Sequence, residues 1–154
     1  MTLPHARLSQ VKRIASWLLL LAFVLPLSKC TGRVDPDTLV QSADTVNYGF
    51  SLLVEFARGF ELRPFDAVRG MLAVLAVFFG PLCTLAMRPL WEPLFCLAGA
   101  VLAWYALAVW VFLIGHPMPG GWLACACWVA VVLVSVAQLW TYGKRRFTPL
   151  ARQG

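Results

Sequence analysis

Ionisable side chains are what this chain has least of. Only 13% of its 154 residues are charged, about half the roughly 25% usual in a soluble domain. By contrast 60% are hydrophobic, and the mean hydropathy is +0.75. So little polar surface cannot coat a globule in water, which makes lipid the expected solvent. The shortage is also positional. No Asp, Glu, Lys, Arg or His falls in the apolar stretches 14–27, 71–87, 94–115 or 122–142. Proton-coupled carriers need ionisable relays inside the membrane, and charged-ring channels need the same residues. A small multidrug carrier, which the size and span count would suit, is excluded for want of a carboxylate in a span.

Catalytic chemistry is equally scarce. His5 and His116 are the only imidazoles, and neither has a nucleophile motif beside it. No glycine-rich phosphate loop is present. Asp35-Pro36-Asp37 reads as a helix cap with proline in the first turn rather than a pair of metal-binding carboxylates. The chain is therefore not expected to be an enzyme, and no cofactor is expected. Its five cysteines are scattered through apolar segments, unlike the disulfide framework of a small secreted domain.

What the chain does have is long apolar runs. Residues 94–142 form one run broken once, at His116-Pro117-Met118-Pro119-Gly120-Gly121, where two prolines and two glycines force a turn. Each half approaches the roughly 20 residues that cross a bilayer, so the pair reads as a transmembrane hairpin. Residues 71–87 are a further span, bent or tightly packed at Gly80-Pro81, and Arg88-Pro89-Leu90-Trp91-Glu92-Pro93 is the turn after it. At the other end Arg7, Lys12 and Arg13 precede the apolar run 14–27, the layout of a signal anchor or signal peptide. Cleavage or lipidation near Cys30 is a competing fate, although Lys29 sits where a lipoprotein site needs a small residue.

The expected fold is an all-α integral membrane protein, a single domain over 1–154. It has four transmembrane helices, at about 10–28, 71–87, 94–115 and 122–142, the first a candidate signal peptide. The polar region 29–70 lies between the first two spans. Within it, residues 46–60 repeat at helical period: Val46, Phe50, Leu53, Val54, Ala57 and Phe60 on one side, Asn47, Ser51, Glu55 and Arg58 on the other. This predicts an amphipathic interfacial helix. Arg63-Pro64 ends it, with Asp66 as the N-cap of the next helix.

The basic excess, +6 at neutral pH, then has an economical meaning. No aromatic-basic interleaving or motif points to nucleic acid, whereas basic clusters beside spans set topology. With the N-terminus inside, Arg7, Lys12, Arg13, Arg88, Lys144, Arg145, Arg146 and Arg152 are cytoplasmic. Lys29, Arg33, Arg58, Arg63 and Arg69 lie opposite, among six acids. Both termini are thus expected in the cytoplasm of a bacterial-type inner membrane. Trp17, Trp91, Trp122 and Trp140 are expected as interfacial anchors. Trp104, Tyr105 and Trp110 lie deep in the third span, and their N–H and O–H groups call for a protein face, first of all the other spans. The pairs Ala76/Gly80, Gly99/Ala103 and Ala126/Ala130 are candidate close-contact lines.

One soft-ligand set stands out at the non-cytoplasmic end: His116, Met118, Cys125 and Cys127, with Cys30 ending the first span there. Imidazole, thioether and thiolate suit copper(I), and Cys30 with Cys125 could instead form a redox couple. Against both, Cys125 and Cys127 lie about 200° apart on a helix, and cysteines in spans commonly act as small packing residues. Three readings follow. The first is an accessory or assembly component of a membrane complex, with other subunits or a second copy as partners. The second is a thiol-redox or copper-handling protein built on these residues. The third is a lipid-interacting protein acting through the 46–60 helix.

Overall fold

The computed structural model describes residues 3–30, 44–87, 91–113 and 116–147. Asp35, Pro36, Arg88 and Arg152 lie outside them. In chain order the elements are α1 (Leu3–Val24), β1 (Pro26–Cys30), β2 (Thr45–Tyr48), α2 (Gly49–Arg58) and a 3-10 turn (Gly59–Glu61). Then follow α3 (Pro64–Thr84), α4 (Trp91–Leu107) with a π-helical extension (Ala108–Leu113), β3 (His116–Pro117) and α5 (Pro119–Phe147). The chain is mainly helical, as expected.

Among the described residues three helices are long and apolar enough to cross a membrane: Pro64–Thr84, Trp91–Leu113 and Pro119–Tyr142. Helix α1 has the length, but every 18-residue stretch of it includes Arg7, Lys12 and Arg13. It is nonetheless an integral wall of the bundle. The neighbours run α1–α5–α4–α3 and back to α1, an up-down-up-down arrangement in which the α3–α4 and α4–α5 connections are short and the one from α1 to α3 carries β1, β2 and α2. One core of buried residues joins all four, through Leu19, Ala22, Val74, Phe78, Leu107, Trp128 and Val131. Phe23 of α1 meets Phe78 and Phe79 of α3 edge-on, with centroids 5.3 and 5.5 Å apart.

The expected proline disruption in α3 takes a specific form. The helix continues through Pro81, which is buried. Proline has no N–H to give the carbonyl four residues back. That carbonyl, on Val77, instead accepts a 3.1 Å hydrogen bond from the Trp128 indole of α5. A backbone group freed inside an apolar bundle is thus satisfied by a neighbouring helix.

One end of the bundle is closed by a small three-stranded antiparallel sheet, ordered β2-β1-β3, which an all-α expectation did not contain. Strand β1 pairs Lys29 with Val46 on one side and with His116 on the other. Two contacts clamp the sheet to the helices: Met118 N donates to Leu27 O at 3.0 Å, and Ser28 Oγ donates to Trp110 O at 2.9 Å. The glycines of the hairpin break serve proximity rather than flexibility. A Cβ on Gly120 would stand 2.6 Å from Pro26 O, and one on Gly121 2.5 Å from Leu27 O.

Three boundaries differ from expectation. Helix α3 begins at Pro64 with Arg63 as its N-cap, so Asp66 sits inside the first turn; proline at the first helical position starts the helix instead of ending the one before. Val46 and Asn47 belong to β2, and the amphipathic helix begins only at Gly49. Its buried residues are Gly49 and Leu52, with Leu53 and Phe56 packed on the core, while Phe50 and Val54 stay exposed. Trp17 lies within α1 rather than at its end.

Candidate functional site

The soft-ligand residues are divided among three places. His116 is exposed on β3, opposite Lys29. Met118 follows it and is tied by its backbone to Leu27. Cys30 ends β1 opposite Thr45 and its sulfur accepts from Asn47 Nδ2 at 3.3 Å. Cys127 is buried in the core of the bundle, with Cys125 packed beside it. Among the described residues no three His, Cys, Asp or Glu side chains gather as a metal-binding group. No disulfide joins Cys30, Cys83, Cys96, Cys125 or Cys127.

Two features carry polar chemistry that the sequence reading did not identify. The first is a charge pair. Lys12 Nζ lies 2.9 Å from Glu92 Oε1, with the lysine fully buried and the glutamate side chain 15% exposed. The contact is Coulombic: it lies outside hydrogen-bond geometry, and the ammonium has no hydrogen-bond partner among the described residues. Buried polar groups surround this end of the bundle. Ser16 Oγ donates to Lys12 O at 2.9 Å, and Thr84 Oγ1 donates to Pro81 O at 2.8 Å while meeting Cys96 Sγ at 3.0 Å. Ser135 Oγ and Gln138 Oε1, in the half of α5 remote from the sheet, are buried and unpaired among the described residues. Of the six buried polar residues among those described, only Ser28 belongs to the sheet end. Lys12 is thus neutralised within the bundle rather than solvated beside a span.

The second is a slot on the outer face, between α3 and α4 and beneath α2, of about 960 Å³. That is near the upper end of ordinary ligand cavities. Its floor exists because Gly70, Ala73 and Ala76 place small residues at every third position of α3, and Ala106 faces them from α4. Phe56 and Phe60 roof the end toward the sheet. Phe56 sits so tightly over Gly70 that a Cβ there would stand 2.4 Å from its ring, and it also approaches Trp110, centroid to centroid 6.5 Å. The slot's polar groups are the Tyr105 hydroxyl and, in the first turns of α3, Asp66 and Arg69. Neither Asp66 nor Arg69 has an ion pair or hydrogen bond among the described residues. The small-residue spacing at 70, 73 and 76 was the available signal in the sequence.

The deep aromatics of α4 separate. Trp110 is buried, as a protein-facing residue should be, but Trp104 and Tyr105 are 63% and 69% exposed. The expectation that the other spans would cover them fails there. Successive residues on a helix are 100° apart, and Ala103, Ala106 and Leu107 take the inward face. A Cβ on Gly99 would stand 3.6 Å from the Trp128 ring, whereas one on Gly80 would meet no other part of the bundle within 4 Å.

Compared with known proteins, the chain matches no family model, no curated protein and no solved structure.

Proposed function

We propose that this is a four-span protein of a bacterial inner membrane that serves as an accessory or assembly component of a membrane complex. The observation that carries the reading is Trp104. It lies near the middle of Trp91–Leu113, points outward, and has no hydrogen-bond partner among the described residues. Indoles suit the membrane interface, where water and headgroups meet the N–H. At mid-depth only another protein surface can, so a partner subunit or a second copy is the fitting neighbour.

The membrane placement is supported by where polarity lies. Outward positions carry Ile14, Leu21, Leu72, Val101, Leu133 and Val136, while Lys12, Ser16, Ser135 and Gln138 turn inward. Helix α2 supports it as well, since its circumference has three sectors. Leu52, Leu53 and Phe56 face the bundle, Phe50 and Val54 are an exposed apolar flank, and Ser51, Glu55 and Arg58 form the polar remainder. That is what a helix resting against a bundle at a lipid–water boundary requires. In this reading α1 is an uncleaved fourth span, both termini are cytoplasmic, and the sheet faces the other side.

The test is purification of the tagged full-length protein in mild detergent, with a photo-crosslinking residue at position 101, one turn before Trp104 on the same exposed face. A stoichiometric protein adduct that Trp104→Leu abolishes is the expected result. Crosslinks to lipid alone, with no co-purifying subunit, would remove the assembly reading.

A further inference from the structure

We propose that the slot between α3 and α4 holds one acyl chain of a phosphoethanolamine lipid, with the lipid phosphate on Arg69 and its ammonium on Asp66. The inference rests on the membrane placement argued above and adds a site, a ligand class and a headgroup preference.

Length selects the kind of occupant. From Pro64 to Ala76 the slot follows thirteen residues of α3, whose twelve steps of 1.5 Å span roughly 18 Å. This is about half of the ~30 Å hydrocarbon core, the depth of one leaflet. A partner's spanning helix would need a groove along the whole thickness, and here Phe56 and Phe60 roof one end. A hydrocarbon chain needs only a leaflet's depth and an apolar wall. Phe65, Leu72, Leu102 and Val109 supply that wall.

Charge selects the headgroup. The two charged side chains lining the slot are of opposite sign, three residues apart on α3, and both lie in the turns nearest its polar start. Side chains at this spacing are surface neighbours about 5–6 Å apart at Cβ, yet Asp66 and Arg69 do not pair with one another. A guanidinium offers a planar fork that matches two phosphate oxygens. A carboxylate beside it would repel a purely anionic lipid, but accepts hydrogen bonds from an ammonium two carbons beyond the phosphate. A zwitterionic aminoethyl phosphate therefore answers both charges, whereas a glycerol headgroup answers one. The Tyr105 hydroxyl, deeper on the α4 side, is placed for an ester oxygen of the same chain.

The experiment uses the full-length protein in nanodiscs of equal phosphatidylethanolamine and phosphatidylglycerol, then transferred to mild detergent. Native mass spectrometry counts the lipid retained. The natural chain should keep about one phosphatidylethanolamine in preference to phosphatidylglycerol. Arg69→Gln should lower retention about tenfold or more, the loss of a charge-assisted hydrogen bond. Ala73→Leu and Ala76→Leu, which fill the floor without touching charge, should lower it as well. Asp66→Asn should keep a lipid but lose the ethanolamine preference. Unchanged retention in Arg69→Gln together with both floor variants overturns the site, each variant first being shown to keep its helical content. Equal retention of the two lipids by the natural chain overturns the headgroup assignment. A crosslink from position 102 to protein instead of lipid also overturns the site. If the chain is released from membranes by alkaline carbonate, the membrane reading itself has failed. If it stays embedded yet retains no lipid, only the slot has.

Discussion

Lys12 has no exposed surface and, among the described residues, one carboxylate within reach, Glu92, so the two members of the pair cannot be judged separately. Glu92→Gln would leave the ammonium buried without a counter-charge, which costs about 3–5 kcal/mol. Replacing both, as Lys12→Met with Glu92→Leu, removes the desolvation cost along with the attraction and should be neutral or stabilising by about 1–4 kcal/mol. Unfolding midpoints in detergent check both, and a Glu92→Gln chain as stable as the natural one would refute the burial. Trp128 and Pro81 are linked in the same way. Trp128→Phe abandons the Val77 carbonyl and should cost about 1–3 kcal/mol. In a Pro81→Ala background the residue-81 N–H reclaims that carbonyl, and the same change should cost only a few tenths. The double-mutant cycle reads the coupling directly. The proline was legible as a disturbance of the helix, but the indole that answers it lies 51 residues away, beyond any local pattern.

Among the helices and strands, glycine positions separate three kinds of contact. At Gly121 an added methyl meets the Leu27 carbonyl oxygen at 2.5 Å, backbone that cannot turn aside. Gly121→Ala should therefore lift the sheet from the bundle, with an overpacking cost of about 1–3 kcal/mol. Gly70→Ala meets the Phe56 ring, and faster proteolysis near residues 59–62 should report α2 leaving α3. Gly80 has open space around it, so Gly80→Ala should stabilise α3 by about 0.5–1 kcal/mol through backbone entropy alone. Hydrogen exchange and melting separate the three. The amphipathic segment shows why such detail escapes a periodic pattern. Its alternation of apolar and polar residues was visible, but two sectors of it are apolar, and hydropathy does not distinguish Leu52 against protein from Phe50 on the exposed flank. Residues 45–48 pair as a strand because β1 is adjacent in space, and no four-residue window encodes that.

For the whole molecule, α1 decides the most. It makes its largest interface with α5 and a further one with α3, and it supplies the counter-charge for Glu92. A chain cut after Cys30 would lose all three, so the intact mass in membranes should include residues 3–24, and a mature N-terminus at Thr31 would contradict this assembly. Reporter fusions at the two termini should both signal cytoplasm. An outward N-terminal reporter would reverse the orientation and move the slot to the inner leaflet.

Local sequence alone determined that the chain is mainly helical and where its three helices long and apolar enough to cross a membrane lie among the described residues. Charge is scarce, apolar runs are span-length, and proline–glycine breaks divide them, all of which are sums over neighbouring residues and can be read in one dimension. Tertiary structure decided the remainder: that Lys12 is neutralised inside the bundle, that β1 gathers β2 and β3 into a cap, that the soft-ligand residues are parted, and that Gly70, Ala73 and Ala76 open a slot beside Arg69. Each of these is a relation between segments distant in sequence. Whether a side chain is buried, paired or left open depends on what folds against it, and the hydropathy of its own segment carries no record of that neighbour.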